Sequence, residues 1–193
     1  GVDGAFEIYA GSGARCYFAT NPTCGDGNDA RITPLSGPSR LAYDPVRGDL
    51  YFVDGRVVRR VEYATRTISR VAGNGLDCPG NSVSSPTCSR DSWGATSGGC
   101  GDGGPAVDAF LIQPQSIAFH DGALFVAEYT GHKVRRIDVR SGIITTWAGS
   151  GQLCTGTLDT CDGDGDPLAA SLYSPYGLGA ALDGSLYITV IDH

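Results

Sequence analysis

The chain has 193 residues, 41% of them hydrophobic and 18% charged, with a net charge of −7 and a single lysine, Lys133, against thirteen arginines. That composition suits a globular protein with a sizeable core, and its acidic balance argues against a nucleic-acid surface, which needs a basic field. No apolar run approaches the roughly 18 residues that span a bilayer. No signal-like segment opens the chain and no methionine occurs, so it reads as a processed product, a cut piece or an incompletely known sequence.

The 29 glycines and 10 prolines gather between short apolar runs, the punctuation of many short strands. In chain order, residues 5–10 read as a lone strand. Four strands follow at 39–43, 50–53, 57–61 and 67–72, rich in Val, Ile, Phe and Tyr. The next four are expected at 116–119, 124–127, 134–138 and 143–148, and two more at 176–180 and 186–190.

These groups repeat. A frame of Ala-Gly-(Ser/Asn)-Gly, two residues and Cys starts at Ala10, Ala72 and Ala148. It continues to a second Cys, with thirteen residues between that Cys and Pro38, Pro114 or Pro175. The markers Gly13, Gly75 and Gly151 are 62 and 76 residues apart. The difference of 14 equals the extra spacing of Cys78 and Cys100 (22) over Cys16 and Cys24 (8). Four antiparallel strands per unit with a Gly-rich crossing to the next is the grammar of a β-propeller, so the fold class is all-β. The expected units are the last strand of a preceding blade in 1–13, blade one in 14–75, blade two with a long insertion in 76–151, and a partial third blade in 152–193.

The frame also restricts seven cysteines, because equivalent positions make equivalent bonds: Cys16 to Cys24, Cys78 to Cys100 and Cys154 to Cys161. Disulfides imply an oxidising, extracellular or cell-surface location. Thiolate metal ligation is the competing reading, but zinc spacing is absent. Cys88 is left over as an unpaired thiol, either buried or reaching another chain or a missing part of this one.

The residues of the second copy carry a resemblance. Gly101-Asp102-Gly103-Gly104-Pro105-Ala106, Ala109-Phe110-Leu111, Pro114, Leu124-Phe125-Val126-Ala127-Glu128, His132-Lys133-Val134-Arg135-Arg136-Ile137-Asp138 and Gly142-Ile143-Ile144-Thr145-Thr146-Trp147-Ala148-Gly149 resemble the NHL repeat of teneurin-type and bacterial extracellular propellers. Glu128 stands for the usual Asp and Gly131 for the usual Asn, and the first copy departs further at Asn28-Asp29 and Asp54-Gly55-Arg56. His193 aligns with the repeat histidine His132. About two complete blades are therefore expected, with partial ones at both ends. The remainder is expected to lie beyond this sequence or to come from other chains, since an open arc exposes strand edges.

Candidate chemistry is sparse. Asp159, Asp162, Asp164 and Asp166 alternate with glycine in part, and the last three are a candidate calcium site, since alternating carboxylates can converge on a hard cation. Asp26 and Asp102 occupy the related place in the other copies, and the plainer reading is an Asp capping its own turn. The pairs Arg59-Arg60 and Arg135-Arg136 are read as strand arginines paired with loop aspartates. His120, His132 and His193 offer a metal site only by analogy with amidating lyases of NHL-like fold, so no catalytic residue and no firm cofactor is assigned. Tyr17, Phe18 and Trp93 are candidate ligand contacts on loops. The expected function is a non-catalytic extracellular binding or scaffold module for protein or glycan. The alternatives are a subunit of an extracellular filament completed by neighbouring chains, and a metal-dependent extracellular lyase or hydrolase.

Overall fold

The computed structural model describes residues 7–76, 101–154 and 165–191. Among these residues ten strands run in chain order: β1 (Pro38–Tyr43), β2 (Leu50–Asp54), β3 (Val57–Val61), β4 (Ile68–Ala72), β5 (Pro114–His120), β6 (Ala123–Glu128), β7 (Lys133–Asp138), β8 (Ile144–Ala148), β9 (Pro175–Ala180) and β10 (Leu186–Val190). They form two four-stranded antiparallel sheets in simple order, β1 to β4 and β5 to β8, and a two-stranded sheet of β9 and β10. Residues 7–10 are not in a strand, although Tyr9 and Ala10 pack against the far face of the first sheet.

The strands begin at the repeat prolines rather than after them, because β1, β5 and β9 are the edge strands of their sheets. Proline, lacking an N–H, is tolerated at the start of an edge strand. Each of these strands is bulged one step in: the register slips between Ser39 and Leu41, between Pro114 and Ser116, and between Pro175 and Gly177. The same three strands lie side by side, β1 against β5 and β5 against β9, as the innermost strands of successive propeller blades do.

The core lies between the blades. Alternate residues of a strand face opposite sides, so Tyr51 and Val53 of β2 face the second sheet, whose Ile117, Leu124, Val126, Ile137 and Ile144 close on them. Tyr51 stacks on Phe119 with ring centroids 5.7 Å apart. The opposite face of the second sheet, with Phe125, Trp147 and Ala148, takes Leu178, Leu186 and Ile188 from β9 and β10. All six residues of β6 are buried, since a sheet is covered here on both sides.

The Gly-rich frame is the joint between units. The Gly11 N–H donates to Ala30 O and Ser12 N–H to Thr33 O. Gly73 and Asn74 pair likewise with Ala106 and Ala109, and Gly149 and Ser150 with Pro167 and Ala170. One hydrogen-bond pair, written three times, docks each crossing segment onto the turn that precedes the next innermost strand. Gly73 and Gly149 have φ of 85° and 93°, which favours glycine.

Candidate functional site

Each complete sheet is locked by a buried arginine. Arg59, fully buried in β3, donates from Nη2 to Asp26 Oδ1 at 2.7 Å and to Cys24 O at 3.2 Å, and its Nη1 lies 3.6 Å from Asp54 Oδ2. Asp54 Oδ1 accepts from the Ser36 and Gly37 N–H groups, each at 2.7 Å. In the second sheet Arg135 donates from Nε to Asp102 Oδ1 at 2.9 Å and lies 3.6 Å from Glu128, which accepts from Ile112 N–H at 3.0 Å. Thr146 donates to the other Asp102 oxygen. Burial pushes the carboxyls of Asp26 and Glu128 above their ordinary values, opposed by Arg59 and Arg135 respectively. The neighbouring arginines are paired as well, Arg60 with Asp49 and Arg136 with Asp138. Arg59, Arg60 and Arg135 therefore tie loops to strands, whereas Arg136 pairs within β7.

The expected site residues are placed unevenly. Cys16 and Cys24 form a disulfide with Cα atoms 5.7 Å apart. Cys154 is disulfide-bonded, and its partner lies outside the described residues, as do Cys78, Cys88, Trp93, Cys100, Asp159, Cys161, Asp162, Asp164 and His193. Asp166 accepts from Leu168 N–H at 2.9 Å, capping its own turn. Among the described residues no group of three or more His, Cys, Asp or Glu is placed to hold a metal ion, and no helix is long and apolar enough to cross a membrane.

Tyr17 is exposed, but Phe18 corrects the expectation of a ligand contact. Phe18 is buried with Cys16, Cys24 and Val57, and the Arg59 guanidinium lies 5.7 Å from its ring centre. The disulfide closes the loop beside the sheet, and the ring of the pair that carries no hydroxyl turns inward to cover the buried arginine. His132 bridges units: its Nδ1 accepts from Ser174 N–H at 3.3 Å, and burial holds its pKa below the ordinary value.

The bulges create a feature that no single strand suggests. Arg40, the extra residue of the β1 bulge, reaches across the innermost strands. Its Nε donates to Gln115 O at 2.9 Å and its Nη2 to Tyr176 Oη at 3.1 Å, over sequence separations of 75 and 136. The guanidinium lies 5.3 Å from the Tyr176 ring centre, and Tyr176 meets Tyr129 edge to face at 6.3 Å. Gln115 and Tyr176 are themselves the extra residues of the β5 and β9 bulges. Arg40 and Tyr176 are exposed, whereas Gln115 and Tyr129 are half-buried. This group marks the mouth of the innermost strands. Its one sequence signal is position: Arg40, Gln115 and Tyr176 fall one or two residues after the repeat prolines.

Comparison with known proteins gives this geometry a family. The family model described as the Teneurin NHL domain matches residues 2–83 and 81–166. Teneurin-1 of Mus musculus is 27% identical over 95% of this chain and 9% of its own length. Teneurin-3 of Mus musculus is 31% identical and Teneurin-3 of Danio rerio 32%, each over 77% of this chain and 5% of its own length. The chain thus spans less than a tenth of these curated relatives. Among solved structures, an auxiliary nutrient binding protein from Bacteroides thetaiotaomicron superposes with a TM-score of 0.50 at 17% identity. That match covers 77% of this chain and 33% of the other, a likeness of fold alone. The repeat, the blades and the match over most of the sequence agree: the chain belongs to the teneurin NHL domain family.

Proposed function

We propose that the chain is a non-catalytic extracellular binding module that engages a protein partner at the mouth of its innermost strands. The observation that carries this reading is the Arg40 group. A cation and two tyrosines are presented together by the bulges and adjoining loop of neighbouring blades, while the buried arginines and aspartates are spent on joining loops to strands. The relatives are teneurins, and the Cys16 to Cys24 disulfide suits an oxidising compartment. No cofactor is required by this reading. Asp26 and Asp102, at the place related to Asp162, Asp164 and Asp166, are engaged by Arg59 and Arg135 rather than open to calcium.

The test is capture of the purified full chain on intact cells treated with protease or with glycosidases. Capture lost after protease and kept after glycosidase is the expected result; the reverse pattern, or no capture, overturns it.

A second reading rests on a different observation. Leu41 and Tyr43 of β1 are exposed, although Ile117 at the matching position of the next copy is buried and Phe119 is packed against the first blade. The face they share accepts a blade-like sheet, and a neighbouring chain is one source of it.

A further inference from the structure

We propose that Arg40 is a carboxylate-reading subsite that takes the side chain of one Asp or Glu of a protein partner. This deepens, and rests on, the reading of the strand mouth as the binding face.

A guanidinium has five N–H donors. In Arg40 two are committed, to Gln115 O and Tyr176 Oη, and no carboxylate lies within 4.0 Å of it among the described residues. Arg31, Arg47, Arg59, Arg60, Arg135 and Arg136 each have one; Arg15, Arg66, Arg70 and Arg140 have none among the described residues either, but Arg40 is held by hydrogen bonds to two other blades. The two hydrogen bonds and the Tyr176 ring hold the head group in place, so little freedom remains to be lost when an acid binds. Its backbone is held at φ 41°, in the left-handed region that non-glycine residues seldom adopt. Local strain of this kind collects where a side chain must be aimed.

The chemistry of the occupant follows from what surrounds the cation. The chain carries a net charge of −7, so it presents no general field for a polyanion. One fixed cation in an acidic protein selects a single carboxylate on a partner. Sugar rings stack on open aromatic faces, but Tyr176 already gives a face to the Arg40 guanidinium and meets Tyr129 edge to face. That favours an acidic side chain over a uronic acid.

The test follows the Arg40 Nε–H resonance of the isotopically labelled full chain during titration with acetyl-Glu-amide, acetyl-Gln-amide and methyl glucuronide. The expected result is a saturable shift with the Glu probe, at least about fivefold weaker with the Gln probe. Tyr176→Phe, which keeps the ring and removes the hydroxyl, is expected to weaken the response about threefold. Arg40→Gln is expected to abolish Glu-probe shifts at the Tyr129 and Tyr176 rings, with the other resonances unchanged. Equal response to Glu and Gln, no saturable response, or tighter binding of the glucuronide overturns the subsite. Cell capture that persists while the carboxylate response is absent overturns the subsite and leaves the binding-module reading standing. A carboxylate response without capture overturns that reading instead.

Discussion

At the scale of single residues, His132 has both a strained backbone, with φ of 50°, and a bond between units through Ser174 N–H. Burial places its folded pKa below the ordinary 6.5, with a hydrogen bond to the Leu172 backbone opposing the shift. Between that depressed value and 6.5 the unfolded chain binds more protons than the folded one, so this contribution to stability is lost as pH falls below 6.5. Glu128 has the opposite sign. Burial raises its folded pKa above 4.5, so its contribution falls as pH rises between 4.5 and the raised value. Comparison with a variant therefore isolates the histidine. From about pH 7.5 to about 5.5, the loss of urea-unfolding stability in the parent chain is expected to exceed that of His132→Gln. Identical pH profiles would sink the assignment. The tie to Ser174 was hidden in the sequence, where His132 is only a repeat letter.

At the scale of elements, the crossing segment makes the sharpest demand on sequence. A Cβ on Gly149 would fall on the His132 carbonyl oxygen and 2.9 Å from Lys133 Cα, both backbone atoms that cannot turn aside, whereas one on Gly122 meets nothing within 4 Å. Both residues have positive φ, 93° and 72°. Gly122→Ala is expected to cost about 1 kcal/mol from the backbone conformation alone. Gly149→Ala is expected to cost about 3 kcal/mol or more, because the joint itself must move. Denaturant unfolding of the two variants checks the difference; equal costs would mean that the joint yields. The strands themselves were legible to within two residues, because short runs rich in Val, Ile, Phe and Tyr between turn residues are a local signal. The exception is the strand expected at 5–10, whose described residues 7–10 are not in a strand. Within that margin β1, β5 and β9 start earlier than the apolar runs, at Pro38, Pro114 and Pro175. Their first residues are held by pairing with Asp54, Glu128 and Val190 rather than by hydrophobicity.

At the scale of the molecule, the interfaces between blades supply the core, and the β1 face with Leu41 and Tyr43 is the uncovered counterpart of one that is filled in the next copy. If a neighbouring chain fills it, the full chain is expected to sediment as an oligomer in a concentration-dependent way, and Leu41→Asp to shift it to monomer by a factor of about ten or more in dissociation constant. A monomer at all concentrations would rule out that reading. The sequence by itself determined the repeat, the strand order, the joint glycines and the pairing of Arg59, Arg60 and Arg135 with loop aspartates, because each recurs at a fixed spacing and each satisfies a local need. Only the tertiary structure decided that Phe18 turns under the sheet and that Arg40 meets Gln115 and Tyr176. A bulge re-aims a side chain without leaving a pattern in the letters, and the distance across neighbouring blades is set by the packing of whole sheets rather than by any segment of the chain.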